Sequence, residues 1–231
     1  ANKCFPKARI VRMDADTTTR KEAYEEILGA FRNGKIDILI GTQMIAKGLH
    51  FPNVTLVGVV YADLSLHVPD FRAGERTFQL LAQVAGRAGR GDVAGQVIVQ
   101  TYTPHHAAVQ AARRLDYEGL CAEEMEFRSE LSYPPASHLI CITLKGKAEG
   151  EVKYCTEVLS MRLGKAVGNA ALVSEACPAP LAKAKLYYRY QVIARGRSVR
   201  AISTPLKRIL GELGLPRTVS IAVDVDAIDL M

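Results

Sequence analysis

Apolar and polar residues alternate near the start of the chain, where Ala8-Arg9-Ile10-Val11-Arg12-Met13 reads as a strand. After the turn-forming stretch Asp14 to Thr19, Thr19 and Glu22 make a capping-box pattern, and the period changes to that of a helix. This helix runs to about Phe31, sets Ala23, Tyr24, Ile27, Leu28 and Phe31 on one face, and is closed by Asn33-Gly34. Ile36 to Ile40 and Val54 to Val60 are almost wholly apolar, which predicts central parallel strands covered on both faces. A helix from about Ala73 to Ala85 and a strand within Gly95 to Tyr102 continue the alternation. The rhythm describes one right-handed, mostly parallel α/β lobe over residues 1–104.

From His105 to Leu131 the pattern is helical and charged, with Ala108, Ala111, Ala112, Leu115, Leu120 and Phe127 expected inward. Tyr133-Pro134-Pro135 breaks it, so residues 105–135 read as a junction. The remainder, 136–231, changes rhythm again. A strand at Leu139–Leu144 precedes a helix from about Glu149 to Val167 that presents Val152, Cys155, Leu159, Leu163 and Val167. Then come a short strand at Leu172-Val173, a loop at Cys177–Pro180, a strand at Tyr187–Ala194, a helix at Val199–Leu213 and an alternating strand at Val219–Val225. The order β-α-β-β-α-β predicts a smaller α+β domain of ferredoxin-like, split βαβ type.

Composition adds little: 48% hydrophobic and 23% charged residues over 231 positions are ordinary for a globular chain with room for two domains. A net charge of +6 is compatible with nucleic acid as a partner without requiring it. Cys4, Cys121, Cys141, Cys155 and Cys177 are far apart and form no Cys-x-x-Cys pair, which argues against a zinc knuckle or disulfide framework and reads as core thiols in a reducing cytoplasm. No apolar run is long enough to cross a membrane. The first residues enter a strand almost at once, so the chain is expected to be cut from something longer.

The candidate chemistry lies at two places in the first lobe. Gln79-Leu80-Leu81-Ala82-Gln83-Val84-Ala85-Gly86-Arg87-Ala88-Gly89-Arg90-Gly91 is an apolar helix ending in two arginines one turn apart, with glycines that clear space around their guanidinium groups. Such planar, permanently charged forks suit a phosphate, although a basic helix C-terminus closed by glycines satisfies the macrodipole equally well. Upstream, Ile38-Leu39-Ile40-Gly41-Thr42-Gln43-Met44-Ile45-Ala46-Lys47-Gly48 is a strand opening into a Thr/Lys/Gly loop at its carboxyl end, where ligands bind in open α/β sheets. Asp14-x-Asp16 reads as turn and cap chemistry rather than a metal pair, and His105-His106 as structural or exposed at a helix start.

Gly41-Thr42…Lys47-Gly48 followed by Gln83-x-x-Gly86-Arg87-x-x-Arg90 resembles the last two motifs of superfamily 2 helicases. Pro69-Asp70-Phe71-Arg72-Ala73, Pro178-Ala179-Pro180-Leu181-Ala182, Tyr188-Arg189-Tyr190-Gln191 and Val223-Asp224-Val225-Asp226 extend the likeness over nearly the whole chain to the primosomal protein N′ family of replication-restart helicases. The resemblance implies a RecA-like second helicase lobe in an ATP-dependent, 3′-to-5′ DNA helicase that restarts stalled forks and assembles the primosome. It makes Arg90 the arginine finger, places Arg87 on the triphosphate, links Gln83 to nucleotide or DNA, and brings Lys47 and Gly48 to the nucleotide or the partner lobe. Thr42 and Gln43 would hold a DNA phosphate without reading sequence.

Two departures stand out: His50 replaces the family's usual acidic residue, and Glu175-Ala176 replaces a Gly-Pro. Lys183, Lys185, Arg189, Arg195, Arg197 and Arg200, interleaved with Tyr187, Tyr188 and Tyr190, are either a solvated basic face or a platform. As a platform, Lys185 and Arg189 would meet DNA, while Arg197 and Arg200 would meet the acidic tail of single-stranded-DNA-binding protein. No Gly-x-x-x-x-Gly-Lys-Ser/Thr loop occurs in the sequence. By resemblance, ATP and Mg2+ therefore need a first lobe, and the family's Zn2+ is not bound by this chain, which should hydrolyse no ATP alone. Single-stranded and forked DNA, single-stranded-DNA-binding protein and other primosome proteins are the implied partners of a cytoplasmic monomer with no membrane contact. Two other readings remain: a catalytically inactive interaction module on a helicase scaffold, and an unrelated α/β enzyme whose glycines cradle a phosphate ligand.

Overall fold

The computed structural model describes residues 1–14, 21–42, 54–86 and 95–230. The chain divides into two compact units, 1–67 with 74–117, and 68–73 with 118–231. In the first, β1 (Ile10–Met13) and β2 (Ile38–Gly41) pair in parallel around the crossover helix α1 (Lys21–Arg32). β3 (Leu56–Val59) and β4 (Gln96–Val99) pair likewise, and α2 (Ala73–Ala85) lies between them in sequence. These are two strand–helix–strand units with parallel strands, as the alternation of periods predicts. Met13 and Leu28 form a small buried core with Tyr24, Ile27 and Leu39 against it.

Coverage of these strands differs from the expectation of burial on both faces. Ile40, Leu56 and Ile98 are 43%, 56% and 58% exposed. Among the described residues each strand of this unit has one neighbour, and β3 and β4 alternate between exposed and half-buried positions. An apolar run sets the strand, but it is covered on both sides only where other elements supply the cover.

The helical stretch is two helices, α3 (Ala107–Arg114) and α4 (Tyr117–Glu130). His106 caps α3 by accepting the Ala108 amide at 3.2 Å, in line with a structural role. Ala108, Ala111, Ala112 and Leu120 are buried as expected, whereas Leu115 is 64% and Phe127 51% exposed. Leu115 ends α3 in a left-handed conformation, φ 55°, which takes it out of the helical period. Nothing in the structure explains the exposure of Phe127.

The second unit runs β5 (His138–Gly146), α5 (Glu149–Val167), β6 (Ala171–Val173), β7 (Cys177–Ala184), β8 (Tyr187–Gly196), α6 (Val199–Glu212) and β9 (Ser220–Val225). The sheet order is β6-β8-β5-β9, antiparallel throughout, with β7 also paired to β8. Even-numbered residues of β5 and β8, Ile140, Ile142, Leu144, Tyr190 and Ala194, join Val152, Cys155, Leu159, Leu163 and Val167 of α5 and Ile202, Leu206 and Ile209 of α6 in one core. The α5 face is the one its period predicts. Gly146 fits tightly against that core: a Cβ there would lie 2.8 Å from Val152 Cγ2 and 3.0 Å from the Thr218 carbonyl. On the opposite face Leu139, Cys141, Ala227 and Leu230 are buried beneath Phe71, Tyr133 and Ile193.

Two expectations change in this unit. Cys177–Pro180 is the start of a strand rather than a loop. Pro178 and Pro180 are tolerated because β7 has β8 on one side and no ladder on the other among the described residues. The cysteines are not uniformly core thiols: Cys141 and Cys155 are buried, Cys121 and Cys177 half-buried, and Cys4 exposed. No described helix is long and apolar enough to cross a membrane.

Candidate nucleotide and nucleic-acid sites

Helix α2 carries the first site. Gly74, Thr77, Phe78, Leu81 and Val84 form its buried stripe, so its period turns Gln79 and Gln83 outward, and both are exposed. The Gly86 amide bonds the Ala82 carbonyl at 3.1 Å at the end of the last turn, directly before the arginine pair. Thr42 is exposed one residue past β2, at the carboxyl end of a parallel strand. Arg87 and Arg90 lie outside the described residues, as do Gln43, Lys47, Gly48, His50 and Asp16. Asp14 is buried and pairs with Arg12.

The loops after β3 and β4 are tied together by a group whose role sequence reasoning missed. Asp63 is fully buried. Its carboxylate accepts the hydroxyl of Thr101 at 2.8 Å, that of Thr103, and the backbone amides of Tyr102 and Thr103 at 3.0 and 3.1 Å. The Thr103 hydroxyl above all, with Thr101 and the Tyr102 amide, holds this carboxyl well below the usual carboxylate range. Beside it Tyr61 and Tyr102 are exposed, with ring centroids 6.2 Å apart and edge-to-face. The only signal in the sequence is an acidic residue following an apolar strand, paired with hydroxyls 38 and 40 positions later.

In the second unit the basic residues of β8 separate by strand parity. Tyr190 is buried among the helices and donates to Glu149 at 3.1 Å, so it does not belong to a surface platform. Tyr187 and Arg189 point to the other face, where Arg189 is in register with exposed Lys145 of β5. Lys145 and Lys147 place their ammonium groups 5.5 and 5.9 Å from the Tyr187 ring centroid. Lys183 donates to the Tyr188 hydroxyl at 2.9 Å, a bond that raises its pKa. Lys185 sits in the turn between β7 and β8 with φ 57°. Lys145 and Lys147 escaped sequence reasoning because register, not proximity in the chain, brings them to Tyr187. Asp224 is an acidic residue of this face, level with Cys141.

The remaining arginines form a separate group. Arg195 donates to the Leu131 carbonyl at 2.7 Å and covers the Tyr133 ring at 4.3 Å. Arg195 and Arg197 line a cleft of about 510 Å³ with Ser129, Ser132, Ser137 and Asn169. Arg200 is exposed in the first turn of α6, which has no acidic residue there and no side-chain cap. Cations at a helix N-terminus oppose the macrodipole, so their placement does not serve the helix.

Comparison with known proteins matches residues 2–92 to the helicase conserved C-terminal domain and residues 129–228 to the primosomal protein N C-terminal domain. The chain is 48% identical to the replication restart protein PriA of Bacillus subtilis over 208 residues, 90% of this chain and 26% of the relative. Identity to the replication restart protein PriA of Treponema pallidum is 40%, over 98% of this chain and 34% of the relative. For that of Synechocystis it is 39%, over 98% and 27%. The chain thus spans about a quarter to a third of the length of the relatives it matches.

Proposed function

Since the chain belongs to the replication restart protein PriA family, we propose that it supplies the arginine-bearing half of an ATP-dependent, 3′-to-5′ DNA helicase acting at stalled forks. The observation that carries the reading is the ordered pair of motifs. Thr42 stands exposed at the carboxyl end of β2, and exposed Gln83 lies in the last turn of the helix that precedes Arg87 and Arg90 in the sequence. Phosphoryl transfer leaves charge on the γ-phosphate oxygens, and an arginine brought from a second lobe stabilises it only when the lobes close. Arg90 would be that group, Arg87 and Lys47 would hold the triphosphate, and Gln83 would relate the site to DNA. ATP would supply the free energy, and Mg2+ would screen its phosphates, held by a first lobe.

The first unit is read as a RecA-like second lobe. The order β6-β8-β5-β9, with α5 and α6 against one face of the sheet, supports a split βαβ sandwich for the second. The face bearing Tyr187, Arg189, Lys145 and Lys147 would meet a single strand through its phosphates and bases, as a sequence-blind motor requires. Arg197, which lines the serine-rich cleft, and Arg200, in the first turn of α6, would take an acidic segment of a partner such as single-stranded-DNA-binding protein.

The test is Arg90→Ala in the full-length protein. DNA-stimulated ATP hydrolysis should be abolished and DNA affinity kept; persistent turnover rejects the assignment.

A further inference from the structure

Three strands of the second unit's sheet, β6, β7 and β9, have a ladder on one side alone among the described residues. β6 is three residues long. β7 carries Pro178, Pro180 and Lys183, and its ladder to β8 shifts register between Pro178 and Lys183. Short strands, prolines, lysines and bulges all stop a sheet edge from recruiting another strand. β9 has none of them. It runs for six residues, Ser220-Ile221-Ala222-Val223-Asp224-Val225, in unbroken register with β5. Val223 and Val225 are 41% and 44% exposed, on the same face of the sheet as the core residues Ile142 and Ile140 opposite them.

Register fixes where the backbone of this edge points. The Asp226 amide donates to the Leu139 carbonyl at 2.7 Å, one pair beyond the last residue of β9. In an antiparallel ladder, residues that bond the neighbour alternate with residues that do not. Asp224, Ala222 and Ser220 therefore turn their amides and carbonyls to β5, and Ile221, Val223 and Val225 direct theirs outward. Pairing with a second copy about a two-fold axis at Val223 uses all of these outward groups at once. Val223 exchanges both bonds with its equivalent, and Ile221 exchanges both with Val225 of the second copy. The same register puts Ile221 beside Val225 and Val223 beside Val223 on the face where the cores lie, a continuous apolar ladder. On the other face Asp224, the single charged residue of the strand, meets Ala222, so no like charges oppose one another. A slip of one residue sends the two copies' apolar side chains to opposite faces. An axis at Asp224 opposes two carboxylates, and an axis at Ala222 leaves Val225 opposite Val219, outside the strand.

We infer that β9 is an interaction surface for a second copy of this chain, paired antiparallel through Ser220–Val225 into one sheet that crosses both molecules. The partner is a second copy because the strand is complementary to itself in the one register that pairs every outward group. This departs from the monomer that the resemblance implies, and it does not depend on the ATP-driven reading above. Val223 lies on the axis, so a change there acts twice in the dimer. In a single copy it disturbs little, since the side chain is exposed and the amide points away from its own ladder.

Sedimentation of the full-length protein over a concentration series should show a monomer–dimer equilibrium. Val223→Lys and Val223→Pro should each weaken it about ten-fold or more, the first by setting two like charges on the axis, the second by removing an amide from the pairing. Thermal midpoints confirm that both variants are folded, and if Val223→Pro is not, Val223→Lys decides. The register is read separately by mild oxidation. An antiparallel bonded pair holds its Cα atoms about 5.5 Å apart, within disulfide reach, so Val223→Cys should yield linked dimer well beyond the level of wild type. Ala222→Cys, which faces Asp224 of the second copy, should not. A wild type that stays monomeric up to about 100 µM overturns the inference, as does an association that survives Val223→Lys unchanged. Equal linking by Ala222→Cys and Val223→Cys overturns the register and the self-complementarity on which the choice of partner stands.

Discussion

In β5, Leu139, Ile140, Ile142 and Leu144 are completely buried, while in the first unit Ile40, Leu56 and Ile98, residues of the same type in equally apolar runs, stand 43%, 56% and 58% exposed. The difference lies in the neighbours. β5 has a ladder on each side, to β8 and to β9, with α5 and α6 against one face and the Phe71–Tyr133 cluster against the other. β3 has one ladder among the described residues, to β4. The second unit completes its own core. The first presents sheet surface and strand ends, and ties its loops with a polar group, Asp63, rather than with apolar packing.

The sharpest way to break this contrast is truncation. Leu144→Ala should cost about 3 kcal/mol of stability in a denaturant titration, since it opens a cavity inside a closed core. The contrast fails if the loss is under about 1 kcal/mol. A smaller loss is expected from Asp63→Asn, and its pH dependence identifies the cause. The folded carboxyl sits below its unfolded value, so its contribution is complete above about pH 4 and is lost as pH falls through the folded pKa. The stability gap between wild type and Asp63→Asn should be flat from neutral pH to about pH 5 and narrow in stronger acid. A gap that grows on acidification would contradict the anchor.

The part of the second unit's sheet that carries Lys145 and Lys147 gives the next test, in binding rather than stability. Lys145→Ala and Lys147→Ala should each reduce the slope of log affinity for single-stranded DNA against log salt by roughly 0.7, with little change in stability. Unchanged slopes would remove both lysines from the interface. Smallest of all, Leu56→Ala should fall within about 0.5 kcal/mol of wild type in the same titration used for Leu144→Ala. A loss as large as that of Leu144→Ala would mean that the β3 face is covered after all.

Local periodicity foretold much of this architecture. The five inward residues of α5 repeat at helical spacing over nineteen residues, and all five are buried. The crossovers of the first unit follow from the alternation of strand and helix periods. What the sequence hid is non-local. Tyr190 and Arg189 are adjacent in the chain and end on opposite faces of β8, a matter of parity that depends on which face the helices cover. Lys145 meets Tyr187 through the β5–β8 register. β7 was obscured by its prolines, which break a strand in isolation but fit beside one partner. Of the candidate site, Thr42 is exposed one residue past β2 and Gln83 is exposed in the last turn of α2, while the arginine pair lies outside the described residues. The Phe71–Tyr133 stack could not be anticipated, since its partners are 62 positions apart and neither belongs to a strand or helix.

The segment 68–73, which belongs to the second unit and whose Arg72 donates to the Ala227 and Ile228 carbonyls, has a bearing on how this polypeptide acquires its shape and can be taken apart. Synthesis delivers Phe71 and Arg72 long before Tyr133 and the carbonyls of Ala227 and Ile228 exist, so the last piece of the carboxyl-terminal globule to find its seat is one of the earliest made. Excising that globule at residue 118 would strip an aromatic lid from Leu139 and Leu230 and bare them to water. A graft meant to move it into another protein must bring the six-residue piece 68–73 along.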